Sequence, residues 1–129
     1  MRILFDTNVL VAALLTGGSC YDIIDHAIYD HEIFYTDFIL EEFRDKFTNK
    51  FHFPNPTIER FTQFINRFFM KGNSSHLVEK VCRDPDDDQV LADAVANHID
   101  LIITGDDDLL ALKTHKGIRI LRPRDYWKL

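Results

Sequence analysis

A chain of 129 residues, 46% hydrophobic and 12% aromatic, can bury one core of ordinary size, which excludes a disordered chain and makes a single domain over residues 1–129 the expectation. Fifteen Lys and Arg against 21 Asp and Glu leave a formal charge of −6, excluding the broad basic footprint of most nucleic-acid binders, so any contact with a nucleic acid has to be local. Cys20 and Cys82 stand far apart without CxxC spacing, so neither a disulfide scaffold nor a zinc site is supported, and reduced thiols in the cytoplasm are expected. The apolar run from Val9 to Leu15 could imitate a secretory leader, but Asp6 and Asn8 interrupt it, and no run of about 18 apolar residues is available to span a membrane.

Arg2-Ile3-Leu4-Phe5 is a short apolar strand that ends at Asp6 and leads directly into a helix through Val9 to Leu15. Ser19 and Asp22 have the spacing of a capping box for a helix through about Tyr29, and Glu32 to Thr36 then forms a second strand. Thr36 or Asp37 caps a third helix whose apolar face carries Phe38, Ile39, Phe43 and Phe47. A long helical pattern from Pro56 to Met70 follows, through Ile58, Phe61, Phe64, Ile65 and Phe68, and ends at Gly72-Asn73-Ser74-Ser75.

Leu77-Val78 is a weak strand candidate. Asp84-Pro85-Asp86-Asp87-Asp88 precedes a helix with Val90, Leu91, Ala94 and Val95 on its inner side. Leu101 to Thr104 is the clearest buried strand, Gly105 to Asp108 opens a short helix through Leu109, Leu110 and Leu112, and Ile118 to Leu121 is the last strand. This alternation predicts an α/β fold, a mostly parallel sheet flanked by helices, with its ligand crevice at the C-terminal strand ends.

The acids gather at those ends. Asp6 closes the first strand, Asp106 and Asp108 follow the Leu101 strand, and Asp87 and Asp88 open the helix between. From Asp84 to Asp108 there are nine aspartates and no Lys or Arg, so the segment cannot neutralise itself locally. Carboxylates forced together repel, and a hard divalent cation such as Mg²⁺ or Mn²⁺ turns that repulsion into coordination. Each aspartate also has a plainer reading as a helix cap or solvated loop residue, which suits Asp84 and Asp86, while Asp93 and Asp100 read as surface. Asp6, followed by Thr7-Asn8 and another apolar run, has little solvent to face and needs a partner. Glu42 is the fourth candidate, one turn beyond Phe38 near the edge of the apolar face; its plainer reading is a rim ion pair with Arg44 or Lys46.

The ordered set Ile3-Leu4-Phe5-Asp6-Thr7-Asn8-Val9-Leu10, Leu40-Glu41-Glu42-Phe43, Asp84-Pro85-Asp86-Asp87-Asp88 and Ile102-Ile103-Thr104-Gly105-Asp106-Asp107-Asp108-Leu109-Leu110 resembles the PIN-domain ribonucleases. Within them it is most similar to the small prokaryotic VapC-like toxin components of toxin-antitoxin pairs, as is the closing Ile118 to Tyr126 stretch, where a final strand leads into a short helix. The resemblance implies a three-layer α/β/α PIN-like fold and Mg²⁺- or Mn²⁺-dependent cleavage of single-stranded RNA. It also implies a cognate antitoxin as partner and a homodimer; the aromatic helix faces, with 11 Phe in the chain, read as core or oligomer interface rather than base-stacking platforms. Asp6, Glu42, Asp87 and Asp106 would be the catalytic, metal-binding quartet, with Asn8, Thr104, Asp88 and Asp108 in support; counting from Asp84-Pro85 favours Asp87, with Asp88 one residue on as the alternative.

Two other classes share parts of the pattern. A receiver-like signalling domain has the same length, alternation and acidic Mg²⁺ pocket, but wants an acidic pair at the end of the first strand, where position 7 is Thr, and a phosphoacceptor after a middle strand, where Thr36-Asp37-Phe38 runs into a helix. A haloacid-dehalogenase-like phosphatase would need an Asp where Asn8 stands. A degenerate PIN-like binding protein would lack part of the quartet, which is complete here. No Cys or His sits in a triad-like context, so no protein nucleophile is expected; Arg44, Lys46, Lys50, Arg67 and Arg122 are candidates for contacts to a substrate backbone, or a solvated charged face.

Overall fold

Strands of three or four apolar residues survive only where both faces are covered. Arg2–Phe5 (β1) and Leu101–Ile103 (β4) meet that condition: Ile3, Leu4, Phe5 and all three residues of β4 are at most 1% exposed. The computed structural model describes all 129 residues, Met1–Leu129. After β1 come Thr7–Thr16 (α1) and Gly18–Asp30 (α2), then Glu32–Tyr35 (β2), Asp37–Asp45 (α3), a wide π-helical turn over Lys46–Lys50, Asn55–Phe68 (α4) and Met70–Lys71 (β3). Pro85–Ala96 (α5) leads into β4, followed by Asp107–Leu112 (α6), Thr114–His115 (β5), Ile118–Leu121 (β6) and a closing 3-10 helix, Pro123–Lys128.

The six strands form one sheet in the order β3-β2-β1-β4-β6-β5, parallel throughout except for the β5–β6 hairpin, with helices on its faces. The expected α/β/α architecture is what forms. The chain builds outward from β1 to β2 and β3 on one side and continues from β4 to β6 on the other. The strand order therefore reverses between β1 and β4, and the crevice at their C-terminal ends is the natural ligand position of such a sheet.

Several local expectations are corrected. Leu77-Val78 forms no strand, Leu77 being 88% exposed, and the edge next to β2 is taken by Met70–Lys71 because Gly72 N–H bonds to the Tyr35 carbonyl at 2.7 Å. Consequently α4 ends at Phe68, short of Met70. Ser19 does not cap α2; Gly17, at φ +73°, turns the chain, and α1 and α2 meet at 108°. Val95 faces outward at 38% exposure, since it lies about 100° round the helix from the fully buried Ala94. The β5–β6 hairpin went unread because its turn, Lys116-Gly117, has φ +48° and +82°, the conformation of a two-residue type I′ turn but without its usual Asn-Gly signature.

The π-helical turn is held by aromatic packing. Phe47 is fully buried, with its ring centroid 4.9 Å from Phe43, 5.0 Å from Phe61 and 5.1 Å from Phe53, so five phenylalanines including Phe51 clamp the end of α3 against α4. Asp93, expected at the surface, is 0% exposed. Its carboxylate accepts from Thr36 Oγ1 at 2.7 Å, Ser75 N–H at 2.7 Å and Gln89 Nε2 at 2.8 Å, tying the end of β2 and the 72–75 segment to α5. Burial is tolerated because these donors replace water at the carboxylate.

Candidate acidic cleft at the sheet switch point

Register brings the first two acids together. Phe5 pairs with Ile103, Asp6 N–H bonds to the Ile103 carbonyl at 2.9 Å, and residues 6 and 104 leave the sheet side by side. Thr104, fully buried, donates its hydroxyl to Asp6 Oδ2 at 2.8 Å and accepts the Asp106 N–H at 3.0 Å. One hydroxyl thus orients the acid of β1 and the loop that carries the acid after β4. Asp6 also caps α1 through Thr7 N–H at 2.8 Å, and Asp106 caps α6 through Leu109 N–H at 2.9 Å. Capping here is compatible with a second role, because a carboxylate has lone pairs to spare.

Glu42 reaches the same place from α3. Its Oε1 accepts the Thr7 hydroxyl at 2.8 Å, and the ion pair with Arg44 or Lys46 that is its plainer reading does not form: Arg44 goes to Glu59 at 2.6 Å and to Thr62 at 2.8 Å. Asp87 enters from the first turn of α5, where Asp84 caps the helix through Asp86 N–H at 2.9 Å and Pro85 occupies the first turn. The result is a cleft of about 180 Å³ lined by Asp6, Thr7, Asn8, Glu42, Lys46, Asp84, Asp86, Asp87, Val90 and Asp106.

Of the eight residues singled out in the sequence, Asp6, Asn8, Glu42, Asp87 and Asp106 line this cleft and Thr104 lies beneath Asp6. Asp88 does not: a step of about 100° along α5 turns it away, and its Oδ1 accepts the N–H groups of Val81 at 2.9 Å and Cys82 at 2.7 Å. Asp108 does not line it either. Arg83 binds it in a two-pronged pair at 2.8 and 3.0 Å, which holds its carboxyl below the usual range. Thr7 and Lys46 went unread as cleft residues; the only signal for Thr7 was its place directly after Asp6, and for Lys46 its i+4 spacing from Glu42.

Crowding shows in the electrostatics. Burial raises the carboxyl pKa of Asp6 against hydrogen bonds from Thr104 and Thr7, with Asp106 adding to the rise. Burial likewise raises Glu42, opposed by the Thr7 hydroxyl and reinforced by Asp86 and Asp6. Asp87 is pushed up to about 7 by burial, by the charges of Asp106 and Asp6, and by a carboxyl–carboxylate hydrogen bond to Asp106. Mutual charge is a cause in every case, and protonating one carboxyl or binding a cation relieves it. No three of these side chains converge on one point as a preformed coordination shell. As donors they are hard oxygens only, a set that suits Mg²⁺ or Mn²⁺ and not zinc or copper, and Asp6, Glu42, Asp87 and Asp106 are the side chains that could hold such an ion.

A family model described as PIN domain matches residues 2–108. No curated protein matches the chain. Among solved structures the chain is similar to VapBC2 from Rickettsia felis, in a structure bound to a DNA fragment from their promoter, at 12% identity and TM-score 0.66 over 93% of this chain and 97% of that one. It is also similar to VapC20 of Mycobacterium tuberculosis, described as a sarcin-ricin loop cleaving toxin, at 10% identity and TM-score 0.63 over 91% of this chain and 98% of that one. At such identities the likeness is one of fold, and the family is shown by the match to the sequence itself, which takes in every acidic residue of the cleft: the chain belongs to the PIN-domain family.

Proposed function

We propose that the protein is a metal-dependent endoribonuclease that cuts single-stranded RNA, acting in the cytoplasm as the toxin of a toxin-antitoxin pair. The observation that carries the reading is the meeting of Asp6, Glu42, Asp87 and Asp106 in one cleft at the switch point of the sheet, with Asp87 raised to about 7 by burial and by its acidic neighbours. The two similar structures, one of VapBC2 and one described as a sarcin-ricin loop cleaving toxin, support the choice of RNA and of an antitoxin partner. A homodimer belongs to the same reading.

When bound, Mg²⁺ or Mn²⁺ supplies Lewis-acid activation of water and neutralises charge at the scissile phosphate. Asp6, oriented by the Thr104 hydroxyl, and Asp106, on the loop that the same hydroxyl holds, would be the direct ligands; Glu42, steadied by Thr7, and Asp87 would complete the set of carboxylates that hold the ion. Asn8, at the mouth, orients a carboxylate or meets phosphate. Asp88 and Asp108 are left out of the chemistry because both are committed elsewhere. A single strand suits the cleft because its scissile phosphate can bend down onto the carboxylates, where a duplex cannot follow.

The test is cleavage of labelled single-stranded RNAs in Mg²⁺ or Mn²⁺ by the wild type, Asp6→Asn and Asp106→Asn. Activity that is lost in EDTA and in both variants supports the reading. Cutting that persists undiminished in EDTA or in the variants removes it.

A further inference from the structure

Lys46 is the only cation lining the cleft, in the company of six carboxylates: Asp6, Glu42, Asp84, Asp86, Asp87 and Asp106. Such an ammonium would be expected to form an ion pair, above all with Glu42 at i−4 on the same helical path. None of the seven ion pairs of the chain includes it. Its partner is the side-chain oxygen of Asn8, a neutral group at the mouth, while Glu42 takes the Thr7 hydroxyl. Lys46 still lies close enough for its charge to pull the pKa of both Asp6 and Glu42 down against the rise that burial imposes.

Its position is fixed by the fold. Lys46 opens the π-helical turn, its carbonyl accepting Phe51 N–H at 3.0 Å, and its neighbour Phe47 is sunk in the aromatic clamp at 0% exposure. Wide turns of this kind are rare and occur frequently at functional positions. Arg44, Arg83 and Arg122 are tethered instead, to Glu59 at 2.6 Å, to Asp108 at 2.8 Å and beside Asp107 at 3.8 Å, and none of them lines the cleft. An anionic strand entering a cleft of this sign meets one lining cation, and no carboxylate holds it.

We propose that Lys46 is a catalytic residue of this cleft, its ammonium leaving Asn8 for a non-bridging oxygen of the scissile phosphate of a nucleic-acid strand. The inference rests on the nuclease reading above. Asn8 then serves as the parking place that keeps the ammonium off the carboxylates, leaving them open to a cation.

Lys46→Met and Lys46→Arg are compared with wild type in three measurements: the rise in melting temperature on adding Mn²⁺, single-turnover cleavage of a fluorescein-labelled single-stranded RNA in Mn²⁺, and anisotropy binding of that RNA in Ca²⁺ across a KCl series. Lys46→Met should keep or enlarge the Mn²⁺ response, since a competing positive charge is gone, while cleavage falls about 100-fold, the scale of losing one donor to a transition-state oxygen. Its plot of log affinity against log salt should be shallower by about 0.7, one phosphate contact on a single strand. Lys46→Arg should recover part of both. Unchanged cleavage and slope in Lys46→Met overturn the proposal, and so does a loss of the Mn²⁺ response together with cleavage, which would make Lys46 a prop for the carboxylates. Should the wild type cut no RNA, the nuclease reading fails, and the salt slope by itself decides whether Lys46 holds phosphate.

Discussion

Asp87 makes the metal-free protein sensitive to pH in the direction opposite to ordinary acid denaturation. Its carboxyl sits at about 7 in the folded chain against an ordinary 3.8, so between those values the native state holds a proton that the unfolded chain has released. Its contribution to stability is full below pH 3.8 and is lost as pH rises through about 7. At 1.36 kcal/mol per pH unit the shift is worth at most about 4 kcal/mol. Water at the open mouth of the cleft screens the pair, so about 2 kcal/mol is expected. In a chain of this size that is roughly 6 to 10 °C of melting temperature. Asp87→Asn replaces the protonated carboxyl by an amide of the same shape, which can donate to Asp106 at any pH. Calorimetric melting in EDTA should therefore find the variant and wild type alike near pH 4.5, and the variant roughly 6 to 10 °C more stable at pH 8. Mn²⁺ at pH 8 should raise the wild type far more than the variant. A difference between the two that stays flat from pH 4.5 to 8 would refute the account of a carboxyl pair sharing a proton.

Asp6→Asn should leave metal-free stability unchanged or raised, because Asn caps α1 as well as Asp does and the loss of one repelling charge offsets the Thr104 hydroxyl contact that the amide disturbs, yet the Mn²⁺-induced rise in melting temperature should vanish. An intact Mn²⁺ response would take Asp6 off the ligand set. Thr104→Val keeps the shape but strips the hydroxyl that serves Asp6 Oδ2 and Asp106 N–H; urea titration should show a loss of about 1–3 kcal/mol, and an unmoved midpoint would mean that hydroxyl does no bracing. Asp93→Asn turns one of two accepting oxygens into a donor against Ser75 N–H, Gln89 Nε2 and the Thr36 hydroxyl, and should cost about 1–3 kcal/mol by the same measurement although it lies outside the cleft.

Most of the architecture was legible because it is written in neighbouring residues. Short apolar runs at Arg2–Phe5 and Leu101–Ile103, bounded by turn residues, read as interior strands, Asp84-Pro85 and Asp106 are strong starts for helices, and acids at the ends of parallel, adjacent strands lie on the same edge of the sheet. The strands that escaped notice, Met70–Lys71 and Thr114–His115, are two residues long and exist because a neighbour with unpaired backbone lies beside them, a circumstance no local pattern records.

Side-chain direction is where the chain in one dimension ran out. Asp87 and Asp88 are equivalent as letters, but successive residues of a helix point about 100° apart, so one enters the cleft and the other caps the backbone of Val81 and Cys82. Asp93 looked like surface until Thr36, Ser75 and Gln89, from three separate segments, closed over it. Thr7 and Lys46 entered the cleft through contacts with Glu42 and Asn8 across 35 and 38 residues of sequence. The sequence alone determined that acids would collect at the ends of a parallel sheet, since strand identity and strand-end chemistry are local; which of them face one another, and which cation faces them, depended on register and helix rotation, quantities that exist only once the elements have packed.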